Sequence, residues 1–250
     1  MSKRAVILAG GKGTRLKPYT ISLPKPLVPV GDMPILEIII RQLTKNGFDH
    51  ITITINHMAD IIRAFCGDGS KWGTFIDYSL EDKPLSTMGP LKLITDLPEN
   101  FLIMNGDVLT DLNFDSFYNE HVEAKNIFTI SSYLRDQKVD YGVLEVGNDN
   151  KLVNFIEKPT SSYKVSMGVY MANKKILDFI PKNLFYGFDH LMLDLIKHRN
   201  PASIKIHSGY WLDIGRPDDY EKACSDFEDN ILKFYSNNQF HQELFTVDLI

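Results

Sequence analysis

The chain has 250 residues, 44% hydrophobic and 24% charged, a globular balance that excludes global disorder, collagen and coiled coil. Its 27 Lys and Arg against 32 Asp and Glu give a net charge of −5, which argues against nucleic-acid binding, since that needs a concentrated basic face. Cys66 and Cys224 lie far apart, with no Cys-x-x-Cys and no Cys/His cluster; structural zinc and a disulfide framework are not expected, and a reduced, cytoplasmic chain is.

In chain order, Ala5 to Leu8 reads as a buried strand that runs into glycines rather than a cleavage site, so no leader peptide is expected. No apolar run reaches membrane-spanning length, and no membrane contact is expected. Pro34 to Lys45 reads as a helix, with Pro34 at its first position and Gly47 past its end. Ile51-Thr52-Ile53-Thr54-Ile55 alternates and is β-branched throughout, a strand signal. Asp60 to Phe65 is helical, Phe75 to Leu80 a strand, and Pro90 to Leu97 helical. Phe101 to Met104 is a buried strand ending in Asn105-Gly106-Asp107. This rhythm implies parallel βαβ units with helices on both faces.

The second half changes character. Ile127 to Tyr133, Gly142 to Val146, Leu152 to Glu157 and Val165 to Met171 are closely spaced strands, with a hairpin turn at Asn148-Asp149-Asn150. Helices follow at Lys174 to Phe179 and Phe188 to His198, then a strand at Ile204 to His207. Pro217 to Phe227 reads as a helix opened by proline, with acids at its positive end. The expected fold class is α/β: a Rossmann-like, mainly parallel mixed sheet with helices on both faces and an inserted subregion after about residue 110. Residues 1–229 form one expected domain. Residues 230–250, rich in aromatics, are expected to be an appended helix or arm, packed on the body or on a second subunit.

Three glycines follow the first strand in Gly10-Gly11-Lys12-Gly13-Thr14-Arg15-Leu16. They let backbone amides approach a phosphate closely. The dinucleotide fingerprint fails because Leu16 stands where glycine or alanine is required. The Walker A pattern fails because Gly13, not Ser or Thr, follows Lys12. A proline-punctuated segment continues through Pro18, Pro24, Pro26, Pro29 and Pro34, and the stretch carries Lys12, Arg15 and Lys25. Prolines stiffen such a loop at low entropic cost on binding. The bland reading is a rigid surface loop with solvated cations.

Gly-Gly-x-Gly-Thr-Arg-Leu-x-Pro-x-Thr followed by Pro-Lys-Pro-Leu-x-Pro-Val resembles the sugar-1-phosphate nucleotidylyltransferases. Asn105-Gly106-Asp107, Tyr141-Gly142-Val143, Glu157-Lys158-Pro159, Gly168-Val169-Tyr170 and Trp211-Leu212-Asp213-Ile214-Gly215 extend the resemblance, in family order, over roughly residues 3 to 229. It implies transfer of a nucleotidyl group from a nucleoside triphosphate to a sugar-1-phosphate, with release of pyrophosphate. The inserted subregion would then be the sugar-binding part. No covalent nucleophile is needed; two anions must be brought together by cations.

The resemblance places Leu8, Ala9, Gly10, Gly11, Gly13, Thr14, Glu81 and Gly89 at the nucleotide. Arg15 faces the leaving pyrophosphate, and Lys25 neutralises charge near the α-phosphate. Asn105, Gly142, Glu157 and Gly168 take the sugar, and Lys158 holds its phosphate. Asp107 and Asp213, each after an apolar run, match the family's Mg²⁺ pair; hard oxygen ligands suit that ion. The implied partners are a nucleoside triphosphate and a sugar-1-phosphate, with homo-oligomerisation left open.

Many members carry Gly-Thr-Ala-Gly where this chain has Ser86-Thr87-Met88-Gly89, so Ser86 and Met88 alter the expected base and sugar pocket. The stretch Glu81 to Leu85 looks more like mannose-1-phosphate guanylyltransferases than like thymidylyl- or cytidylyltransferases. A carboxylate at Glu81 would accept hydrogen bonds from the N1–H and amine of guanine, which favours GTP. UTP or CTP, a phosphocholine-type acceptor, and a non-catalytic nucleotide-sugar-binding homologue are the alternatives. Asp111 is expected to be a helix cap, His57 to approach the base, and Trp72 and Trp211 to be packing residues.

Overall fold

The computed structural model describes residues 2–234, with side chains as far as Phe227. In chain order the strands are β1 (Lys3–Leu8), β2 (Pro29–Val30), β3 (Met33–Pro34), β4 (Phe48–Ile55), β5 (Phe75–Leu80), β6 (Asn100–Asn105), β7 (Val108–Thr110), β8 (Phe128–Lys138), β9 (Val143–Val146), β10 (Leu152–Ile156), β11 (Thr160–Asn173), β12 (Ser203–His207) and β13 (Trp211–Asp213). The helices are α1 (Ile35–Lys45), α2 (Ala59–Cys66), α3 (Phe114–Glu123), α4 (Phe188–Lys197) and α5 (Pro217–Phe234).

Strand β1 is buried from Arg4 to Ile7, which requires cover on both faces. It lies inside a seven-stranded sheet of order β12-β8-β11-β6-β1-β4-β5. β5, β4, β1 and β6 run parallel, and β12 runs parallel to β8. β11 runs antiparallel to both of its neighbours. Side chains alternate across the sheet. Ala5 and Ile7 enter one core with residues of α1, α2, α3 and α5, whereas Val6, Phe101 and Ile103 enter a second with Leu191 and Leu195 of α4. The three-layer, mainly parallel α/β fold is therefore the expected one.

Several boundaries differ from the expectation. The alternation in β4 suggests a half-buried strand, yet Thr52 and Thr54 are buried with the isoleucines because helices cover both faces. Pro34 caps α1 from the end of β3 instead of opening it, with ψ 141 outside the helical region. Pro90 to Leu97 is not an α-helix but a short 3₁₀ turn, Gly89–Leu93. The Met88 and Gly89 amides bond to Tyr186 O, and Pro98 disfavours helical backbone at Leu97. Lys174–Asp178 is likewise 3₁₀. β8 and β11 run well past their apolar parts, as a ladder with polar, exposed far ends. β9 and β10 form the expected hairpin, whose turn carries Asn150 at φ 58. Helix α5 continues to Phe234, across the boundary expected at residue 229; the remainder of the tail lies outside the described residues.

Asp111 is not the cap of α3, which is Asn113, whose side chain accepts from Ser116 N–H at 2.8 Å. Asp111 Oδ1 instead accepts from Tyr210 N–H at 2.7 Å and meets His207 Nε2 at 2.7 Å. It ties the segment between β12 and β13 to the end of β7. Trp72 packs in the first core, and Trp211 donates from its indole to Met167 O at 2.9 Å.

His121 on α3 is buried, its Nδ1 2.8 Å from Thr129 Oγ1 and its Nε2 without a partner. Burial pushes its pKa down from 6.5 to about 4. The unfolded chain therefore takes up a proton below about pH 6.5 that the folded chain refuses until about pH 4. Stability should fall by up to about 3 kcal/mol across that window and not above it. Urea unfolding from pH 7 to 4 should show a shallower decline in His121→Gln; equal slopes would mean that His121 does not carry the effect.

Candidate active site

The carboxyl ends of the parallel strands converge. Register sets Leu8 of β1 beside Thr54 of β4 and Asn105 of β6. The chain leaves each strand just beyond that line, at Gly10, Asn56, Glu81 and Asp107, and open α/β sheets bind ligands at such crevices. A cavity of about 400 Å³ lies there, lined by Leu8, Gly10, Gly11, Lys12, Thr54, Asn56, Glu81, Pro84, Ser86, Thr87, Asn105, Asp107 and Phe185.

Glu81 forms part of its floor. A Cβ on Gly10 would stand 2.6 Å from Glu81 Oε1, so any other residue there would displace the carboxylate from this position. Glu81 Oε2 accepts from Leu85 N–H at 3.1 Å, and Asn56 Nδ2 donates to Glu81 O at 2.8 Å. Burial raises the Glu81 carboxyl above the ordinary carboxylate range, and the Leu85 amide opposes it.

The loop after β1 is folded back on itself. Thr20 Oγ1 donates to Gly13 O at 2.8 Å. Gly13 has φ 62, and a Cβ there would meet Thr20 Cγ2 at 2.9 Å and Lys25 Cβ at 3.0 Å. Glycine thus lets the loop close and sets Lys25, itself buried, facing β6. Lys25 Nζ pairs with Asp107 Oδ2. Gly106 N–H donates to Leu8 O at 3.0 Å, which fixes the turn that presents Asp107.

Asp213 reaches the same place from the far end of the chain. β13 pairs antiparallel with β7, Asp213 opposite Val108, and Ile214 N–H donates to Asp107 O at 3.0 Å. Burial and the neighbouring Asp107 carboxylate raise the Asp213 pKa, while Lys25 and Arg15 hold it down. Asp107 Oδ1 is buried with no hydrogen-bond partner. An acceptor oxygen in that state, beside a second carboxylate, suits a hard cation that completes its shell with phosphate oxygens and water. Among the described residues no group of three or more His, Cys, Asp or Glu could hold a metal, so these two would share the task.

A second cavity, about 730 Å³, adjoins the pair and is lined by Arg15, Arg135, Lys138, Arg216 and Asp213 among others. The sugar-side residues fall into two sets. Gly168 has φ 76, and a Cβ there would meet Asn105 Nδ2 at 2.6 Å, so Gly168 and Asn105 are packed together near Asp107. Glu157 lies beside Gly142, its Oε2 3.2 Å from a Cβ placed there, on the exposed β9–β10 hairpin. Lys158 is exposed at φ 44 and lines neither cavity. Ala9, Gly13, Thr14 and Gly89 support the walls without lining the first cavity, and His57 does not line it either. Asn56, Thr54, Thr87 and Phe185 line it and were not singled out from the sequence; for Asn56 the signal was its place one residue past a strand.

A family model described as nucleotidyl transferase matches residues 4–230. The chain belongs to the nucleotidyl transferase family. Within this family it is 31% identical to a UTP–glucose-1-phosphate uridylyltransferase of Synechocystis, aligned over 88% of this chain and 62% of the relative. It is also 31% identical to a mannose-1-phosphate guanyltransferase of Gibberella zeae, over 87% of this chain and 62% of that one. The chain thus spans less than two thirds of these relatives. Solved structures of HddC from Yersinia pseudotuberculosis, without and with GMP-PN, superpose with TM-scores of 0.71 and 0.70 at 29% and 28% identity, covering 90% of this chain and 99% of theirs. No helix among the described residues is long and apolar enough to cross a membrane.

The Lys25–Asp107 pair is well shielded, with side chains 11% and 19% exposed. Lys25→Met should leave two carboxylates facing each other and cost about 3 kcal/mol in urea unfolding. Adding Asp107→Asn to it should recover most of that loss. A cost under about 0.5 kcal/mol for Lys25→Met would place the pair among solvated surface bridges.

Proposed function

We propose that this chain transfers a guanylyl group from GTP to a sugar-1-phosphate, giving a nucleoside-diphosphate sugar and pyrophosphate. The observation that carries it is the pair Asp107 and Asp213, with Asp107 Oδ1 unpartnered and Lys25 alongside, between the cavity that contains Glu81 and the one that contains Arg15. An oxygen of the sugar phosphate attacks the α-phosphorus in line. The bond from that phosphorus to the bridging oxygen breaks, and its electrons leave with pyrophosphate.

Both reactants are anions, so the chain must supply positive charge where they meet. Lys25 is positioned to neutralise the α-phosphate, and Arg15 the departing pyrophosphate. Gly10 and Gly11 leave room for the nucleotide to approach the backbone. Asp107 and Asp213 fit Mg²⁺, which when bound polarises the phosphate oxygens and offsets their charge. Asn105 and Gly168 bound the acceptor side. Glu157 and Gly142 on the hairpin, with Lys158, contribute the remaining contacts to sugar and phosphate.

Glu81 supports guanine. Its buried carboxylate reaches the first cavity, and its acceptors match guanine's N1–H and amine, whereas uracil offers a single ring N–H. An unpaired group in such a site costs about 1–3 kcal/mol. HddC, solved with GMP-PN, and the mannose-1-phosphate guanyltransferase relative support the same choice. The uridylyltransferase relative keeps UTP as the second reading.

A pyrophosphate-release screen of the nucleoside triphosphates against sugar-1-phosphates tests the reaction. Asp107→Asn should lower turnover at least about a hundredfold, and chelation should abolish activity that Mg²⁺ restores; full turnover in chelator would sink the metal assignment. In the same assay GTP should outrun UTP in kcat/KM, and Glu81→Gln should erode that ratio. Because the carboxylate must be ionised to accept both bonds, the preference should also weaken as pH falls through the raised Glu81 pKa. A ratio untouched by Glu81→Gln would return the choice of base to the backbone.

A further inference from the structure

The first cavity is lined by an apolar side chain, Phe185, whose ring meets that of His190 edge-on at 6.2 Å and is otherwise largely open. Phe185 is 64% exposed, yet it lines the same cavity as Gly10, Glu81 and Ser86. A core phenylalanine would be covered; this one is open to solvent while it lines a cavity that also holds a buried carboxylate.

The backbone is fixed immediately after Phe185. Tyr186 N–H donates to Leu85 O at 3.0 Å, and Tyr186 O accepts from the Met88 and Gly89 amides at 3.0 and 2.8 Å. Phe188 N–H donates to Thr87 Oγ1 at 2.8 Å. The Tyr186 ring is buried, and its hydroxyl donates to Asp194 Oδ2 at 2.7 Å. The segment before α4 is thus stitched to the loop that follows Glu81. Glu81 and Phe185 stand next to two stretches that are bonded to each other, and both line the same cavity.

We propose that Phe185 is the nucleobase platform of this site, a ring against which the flat face of the base packs while Glu81 reads its edge. The inference rests on the nucleotidyl-transfer reading. A base has two kinds of surface, a polar edge and a π-face, and Glu81 addresses only the edge. A purine offers the larger face, so the platform adds more to guanine than to uracil. Base–aromatic stacking lost on alanine substitution lowers affinity about fivefold to a hundredfold.

Phe185→Ala, Phe185→Trp and Glu81→Gln test this by calorimetric binding of GTP and UTP with no acceptor present. Phe185→Ala should bind GTP at least about fivefold more weakly and lose less for UTP, with kcat unchanged and KM for GTP raised. Its melting temperature should not move, because the ring is not part of the core. Phe185→Trp should retain GTP binding and show a change in tryptophan fluorescence that tracks occupancy. Wild-type affinity for GTP in Phe185→Ala overturns the proposal, as does an equal loss for GTP and UTP or a silent Phe185→Trp. These failures would leave turnover and the Glu81 effect standing. Absence of nucleotide binding by the unaltered chain would instead overturn the reading of the whole site.

Discussion

Two carboxylates far apart in the chain are held together in partial burial, and this is the constraint around which the molecule is built. Burial first, and the Asp107 carboxylate second, raise the Asp213 pKa. Lys25, which pairs with one Asp107 oxygen, opposes this, and Arg15 lowers the Asp213 pKa further. The second Asp107 oxygen is left buried and unmatched. Natural interiors rarely tolerate such an atom, which is one reason to read the place as a site rather than a structural knot.

The fold is arranged to make that juxtaposition possible. The parallel strands β1, β4, β5 and β6 deliver Gly10, Asn56, Glu81 and Asp107 to one crevice with no long-range adjustment, because parallel register aligns their carboxyl ends. Asp213 cannot arrive that way. It comes through the three-residue pairing of β13 with β7. That small ladder is steadied by Asp111, which accepts from Tyr210 N–H and contacts His207. Asp111 therefore serves the site from a distance, by holding the strand that bears the second carboxylate.

Much of this was legible in the sequence. Strands β1 and β6 announced themselves as short apolar runs, since a strand covered on both faces has no reason to be polar, and β4 through its β-branched alternation. The glycine loop and Asn105-Gly106-Asp107 were legible as site segments through the spaced resemblance they belong to, the glycines alone being compatible with a plain turn. What escaped has a physical cause in each case. β7 and β13 are too short for any periodicity. The outer halves of β8 and β11 are exposed, so their ladder is written in backbone bonds that side-chain pattern does not report. Pro90 suggested a helix start, but tertiary bonds from Met88 and Gly89 to Tyr186 took the amides first. Asp111 carried the local look of a cap, and only the approach of Tyr210, almost a hundred residues on, reveals its partner. Phe185 gave no signal, because its role depends on which loop its neighbour Tyr186 is bonded to.

On the proposed reading, the nucleotide and acceptor sides of the site differ in how many bonds tie their backbone to the rest of the fold. The nucleotide side is framed by strand ends in the centre of the sheet, by a loop closed on Gly13, and by a rim bonded through Tyr186. Groups tied down in this way would lose little conformational entropy on binding a ligand. The acceptor side is different. Glu157, Gly142 and Lys158 sit on or beside a two-stranded hairpin joined in pairing only to itself, with exposed side chains along both strands. A two-stranded ribbon of that kind has little intrinsic stability. Lys158 lines neither cavity, whereas Asn105 and Gly168 are packed against each other at the end of β6; on the proposed reading Lys158 would reach an acceptor only if the hairpin moved.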